Sequence, residues 1–168
     1  MNMGEEHVVV DDSVIDSEDI FAIIDPLWSS VDTGHEEQYV EGLKRFSLPQ
    51  QYVFAICWYR GEVNNGGHEQ FYGNSAGIVW DEAAAGLDEV GAPELRAILD
   101  ESAKRMGGRP SKNQKGRFEQ LKALTPNFDD LDERFYELEG SNDFDSLLLD
   151  YVKKNRASFC FDGMVDKV

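Results

Sequence analysis

No lysine or arginine precedes Lys44, whereas twelve acids do. Direct binding to nucleic acid is therefore not expected, since both surfaces would be strongly negative. No apolar run approaches the roughly 20 residues that a membrane helix needs. The opening stretch from Met1 to Glu6 has neither a basic residue nor an apolar core, so a secretory signal is not expected. Cysteine is scarce, with only Cys57 and Cys160. Without a secretion signal, a reduced, cytoplasmic state is the expectation. Cys57 sits among Phe54 and Trp58 and reads as a core residue. Histidine is scarce too, and His7, His35 and His68 lack the paired spacing of a zinc site. His35-Glu36-Glu37 comes nearest to a ligand cluster, but adjacent side chains on a helix diverge by about 100°. No nucleophile, base and orienting group can be assembled from local motifs, so no enzyme activity, cofactor or metal is expected.

What the chain does have is acid, unevenly placed. Its 168 residues carry a net charge of -17, with 41% hydrophobic and 11% aromatic residues. That length fits one domain, and the apolar content supports a core. Residues 1–103 hold 21 of the 33 acids and 4 of the 16 bases, whereas residues 104–168 are balanced at 12 of each. The whole net charge therefore lies in the first part. A further acidic cluster follows at Asp129, Asp130, Asp132, Glu133, Glu137 and Glu139, beyond a basic run from Lys104 to Lys122. Such asymmetry carries self-repulsion and points to an interaction surface, against the plainer reading of solubility alone.

Apolar periodicity predicts an all-α, single compact multi-helix domain, with at most a minor pair of short strands. Residues 1–16 are expected to form a flexible acidic N-terminus, 17–160 the helical domain and 161–168 a C-terminal tail. The stripe Ile20, Phe21, Ile24, Leu27, Trp28 has helical spacing, with Ser17 as cap and a kink or break at Pro26. Helices follow around Tyr39 to Phe46, from Pro49 through Cys57, from Leu95 to Met106, from Phe118 to Leu124 and from Phe128 to Leu138. A last one runs from Phe144 to Val152 behind a Ser141 or Asn142 cap. The helix after Pro49 carries apolar residues on several faces and is expected to be central. Val8-Val9-Val10 and Ile78-Val79-Trp80 read as short strands without evident partners.

The most distinctive stretch is Glu62-Val63-Asn64-Asn65-Gly66-Gly67-His68-Glu69-Gln70-Phe71-Tyr72-Gly73-Asn74-Ser75. Its flanks look helical, so Asn64 to Gly67 reads as a helix-to-helix turn with an Asn cap, and Phe71 and Tyr72 as core. It lacks the spacing and the Lys-Ser/Thr pair of a phosphate-binding loop.

This run resembles the signature of the bacterial DNA-mimic protein family, a group of small acidic helical proteins. Gly86-Leu87, Val90-Gly91-Ala92, Phe128 with Leu131 and Phe135-Tyr136, and Tyr151-Val152 with Phe159 agree with it. The similarity spans about Ile20 to Phe159, with His68 standing where an aromatic residue is expected. The resemblance implies an all-helical homodimer whose partner is a DNA-binding transcription factor of the helix-turn-helix kind. The candidate contacts are Asp11, Asp12, Asp16, Glu18, Asp19, Asp32, Glu36, Glu37 and Glu41, then Asp129, Asp130, Asp132 and Glu133. For each, the plainer reading is a solvated helix face or a first-turn partner of the helix dipole. An acidic inhibitor or immunity-type protein that binds a basic toxin or enzyme is the alternative.

Overall fold

The computed structural model describes residues 4–168. Eleven helices and one two-stranded sheet make up the described chain. The first strand, β1 (Glu5–Val10), turns Val8 and Val10 inward and leaves Val9 outside, the period-2 alternation of a half-buried strand. It pairs antiparallel with β2 (Phe161–Asp166), in a register that sets Val10 against Phe161 and Glu5 against Asp166. The segments expected as a flexible start and a tail are thus joined to each other. The cause is apolar: Val8, Val10 and Val165 are all buried in the core.

Three short helices follow, α1 (Asp12–Asp16), α2 (Ile20–Ile23) and α3 (Asp25–Ser30). Pro26 lies in the first turn of α3, so the expected break falls at Ile24. Asp11 caps α1, accepting from the amides of Ser13 and Val14, and Asp19 caps α2, accepting from those of Phe21 and Ala22. The cap expected at Ser17 is therefore supplied two residues later. The next helix, α4 (Glu36–Leu43), buries Tyr39 and Leu43.

The long helix α5 (Leu48–Gly73) is the centre of the molecule, as its all-round apolar sequence predicts. Ser47 and Gln50 close a capping box at its start, and Pro49 occupies the first turn. Gly66 and Gly67 leave helical geometry and kink it, where a turn between two helices was expected. Gly67 has φ 75°, in the left-handed region that glycine tolerates. The Asn cap is not formed; beyond the kink, the amide of His68 donates to Asp132 at 3.0 Å, so a remote carboxylate caps the second half.

A 3₁₀ turn (Ser75–Val79) leads into α6 (Trp80–Val90). Ile78-Val79-Trp80 is therefore helical rather than a strand. Ile78 and Val79 are buried against α5, so tertiary packing overrides their β propensity. The remaining helices are α7 (Pro93–Arg105), α8 (Gln114–Leu124), α9 (Asp129–Ser141), α10 (Phe144–Lys154) and α11 (Arg156–Phe159). Asp143, rather than Ser141 or Asn142, caps α10. Both α6 and α9 pack on α5, and α9 also leans on α7. Tyr59, Phe71 and Phe135 meet edge to face in the core, with ring centroids 5.1 and 5.6 Å from Tyr59. No helix among the described residues is long and apolar enough to cross a membrane.

Candidate protein-binding surface

The acids that define the charge of this chain divide by what they touch. Arg156, on α11, reaches both Asp12 (3.0 Å) and Asp16 (2.7 Å) on α1. Lys153, on α10, pairs with Glu18, and Lys44 pairs with Glu41. Asp11 and Asp19 turn one oxygen to the backbone as caps. The Ser13 hydroxyl and the Val14 amide hold the Asp11 carboxyl below its ordinary range. Asp32 accepts from the Gly34 amide and lies 2.8 Å from the His35 ring. Partial burial raises its pKa, but those two bonds outweigh it and leave the carboxyl below its usual range. Most of the N-terminal acids thus already serve the fold.

The second cluster divides too. Arg105, on α7, grips Asp130 through two nitrogens at 2.5 and 2.9 Å. That grip lowers the Asp130 carboxyl to about 2. Asp132 turns inward, with its side chain 20% exposed and its Oδ1 2.5 Å from Nδ1 of His68. The imidazole is fully buried, and its Nε2 lies 2.9 Å from the Tyr59 hydroxyl. Asp132 is therefore an internal capping residue, although by sequence it groups with the candidate contact acids.

Four candidate acids have no basic or capping partner among the described residues: Glu36, Glu37, Asp129 and Glu133. Glu36 and Glu37 open α4, where the helix dipole favours them. Asp129 and Glu133 lie on α9 and continue to Glu137, also without a base. The spacing of four residues puts all three on one face, roughly 6 Å apart along the axis. They border an open depression of about 620 Å³ together with Tyr136, which is 43% exposed. The Tyr136 hydroxyl donates to the Val63 carbonyl at 2.9 Å, fixing the ring between the carboxylates. The α1 acids pack near β1, α2 and α11, whereas α9 packs on α5 and α7, so the two candidate groups have different neighbours.

Two structural residues have no local sequence signal. Arg117 is fully buried with no carboxylate beside it. Its Nε donates to the Tyr72 carbonyl, Nη2 to those of Asn74 and Ser75, and Nη1 to those of Ser111 and Lys112. Burial lowers its pKa to about 10. It closes the C-terminal end of α5, where free carbonyls and the helix dipole favour a cation. Arg60 is held between Glu139 and Asp145 at 2.6 and 2.8 Å. Cys57 is buried, and burial pushes its thiol up to about 12.

An acidic, all-helical domain organised around one kinked central helix is the class that this fold and surface define. The family model of DMP19-like proteins, DNA mimics, matches residues 44–155, two thirds of the chain. The chain belongs to that family, in agreement with the resemblance carried by the Glu62–Ser75 stretch. The match takes in α5 to α10 and the whole α9 row, and it leaves the twelve acids before Lys44 outside. No curated protein and no solved structure matches the chain.

Proposed function

We propose that this protein is a cytoplasmic DNA decoy, acting as a homodimer. Its carboxylates occupy the DNA-reading surface of a helix-turn-helix transcription factor and keep operator DNA out. The observation that carries this reading is the row Asp129, Glu133, Glu137 on α9, without a base among the described residues and inside the stretch that matches the DNA-mimic family. Carboxylates accept hydrogen bonds from arginine and lysine as phosphates do. A surplus of 17 negative charges corresponds to roughly 29 Å of duplex. Two copies would cover about twice that, enough for half-sites about 34 Å apart. The acids before Lys44, Glu36 and Glu37 among them, widen the negative field that steers a basic partner inward.

The test is affinity capture on the tagged protein from native lysate at low and high salt, with the bound proteins identified by mass spectrometry. Recovery of one DNA-binding regulator, released by salt and displaced by its own operator duplex, is the expected result. Recovery of a basic toxin or enzyme that operator DNA does not displace would replace decoy action with inhibition.

A further inference from the structure

Where the chain bends from α1 into α2, it forms one wall of a notch of about 550 Å³. The opposite wall is α5, through Cys57, Gly61 and Asn64, and Leu149 of α10 closes one side. Positions 57, 61 and 64 share one helix face, and their small side chains leave the groove open. A Cβ on Gly61 would meet nothing within 4 Å. Phe21 stands at the lip, 55% exposed, with its ring edge-on to Trp28 at 5.1 Å. Trp28 in turn stacks on Trp58 at 4.4 Å.

Two further observations mark the notch as more than an irregularity of packing. Glu18, on its rim, has φ 59°, a left-handed backbone that non-glycine residues adopt at a cost. The Glu18 amide donates to the Ile15 carbonyl at 3.2 Å, and the Phe21 amide donates to Asp19, so Asp19 and Phe21 meet at the mouth. The charges are also one-sided. Glu18, Asp19 and Asp145 line the notch with Arg60; Lys153 takes up Glu18, and Arg60 is shared by Glu139 and Asp145, so four carboxylates face two bases. Among the described residues Asp19 has no base.

We propose that this notch receives one apolar side chain of a basic amphipathic helix. An aliphatic or aromatic residue of the partner packs over Phe21 and Gly61, while a flanking lysine or arginine meets Asp19. The proposal deepens the decoy reading and rests on its basic partner: phosphate mimicry supplies charge, and the notch supplies a hydrophobic anchor that duplex DNA lacks. Buried apolar anchors ringed by charge carry much of the affinity of protein interfaces.

The probe is a synthetic helical peptide of lysine, arginine and alanine with one central leucine, and a second peptide with serine in its place. Binding is read by anisotropy of the labelled peptide and by tryptophan emission, since Trp28 touches the lip. The leucine peptide is expected to bind wild-type protein about tenfold more tightly than the serine peptide, a difference of about 1.4 kcal/mol. Gly61→Leu, whose Cβ meets nothing within 4 Å, is expected to fill the groove and remove that difference while circular dichroism stays unchanged. Equal binding of the two peptides, or leucine discrimination that survives Gly61→Leu, overturns the proposal. So does a shift of sedimentation with Gly61→Leu in the absence of peptide, which would assign the notch to a second copy of the chain. The decoy reading is judged separately by operator displacement. Displacement without leucine discrimination removes only the notch, and discrimination without displacement removes only the decoy.

Discussion

One oxygen of Asp132 serves His68 twice, lying 2.5 Å from the imidazole Nδ1 and 3.0 Å from the backbone amide. Through this pair, α9 restarts α5 after its kink. Asp132→Ala removes the cap and leaves a buried imidazole nitrogen unmatched. A loss of about 1–3 kcal/mol in urea unfolding is expected. Gly67→Ala acts on the same joint, because its Cβ would stand 2.3 Å from Oδ2 of Asp132 at a left-handed φ. The two effects should be non-additive in a double-mutant cycle, since one contact underlies both.

Arg117→Met should cost about 3 kcal/mol, because it strips several buried carbonyls of a charged donor. Arg117→Lys is expected to recover little, since three donors on a flexible stem cannot reach a set shaped for a planar fork. Urea midpoints of the two variants provide the check.

Replacing Asp129, Glu133 and Glu137 by Asn, Gln and Gln should weaken binding of the captured regulator by about tenfold and flatten its salt dependence. Replacing Asp12, Asp16 and Glu18 the same way should do less, because Arg156 and Lys153 already offset two of their three charges. Titration calorimetry at two salt concentrations separates the two sets. Equal losses would return the N-terminal acids to the interface.

Acid should weaken the fold over a defined window. The Asp11, Asp130 and Asp143 carboxyls all titrate lower in the fold than in the free chain. Each therefore stabilises the fold above its unfolded pKa of about 3.9. That contribution is lost as pH falls toward about 2, the folded value of Asp130. Urea midpoints measured across that window should fall with pH, modestly because all three carboxyls are exposed, and Asp130→Asn should make the fall shallower.

Most helices were legible because their apolar stripes are local, and so was the interruption at Gly66-Gly67; α1, α6 and α11 were not. Val8-Val9-Val10 was legible as a strand, but its partner lies across the chain at Phe161 to Gly163, beyond any local pattern. Ile78-Val79-Trp80 misled because β-branched residues read alike in a strand and in a buried turn. The acids were legible as charge, not as free charge. Whether Asp12 faces solvent or Arg156 is decided by a contact 144 residues away. The same holds for Asp132, whose imidazole partner precedes it by 64 residues. Arg117 sits in a run that reads as a basic surface, and only packing reveals it as a buried clasp.

The β1–β2 pairing also sets an order of events during synthesis. Val10 and its partner Phe161 are separated by 151 positions. At about 5–20 residues per second, a ribosome needs roughly 8–30 s to close that gap. Throughout this interval the first strand has an apolar face and an unpaired edge but no mate. The high negative charge around it, from Glu5 to Asp19, then acts on the nascent chain, keeping neighbouring copies apart until the last strand arrives.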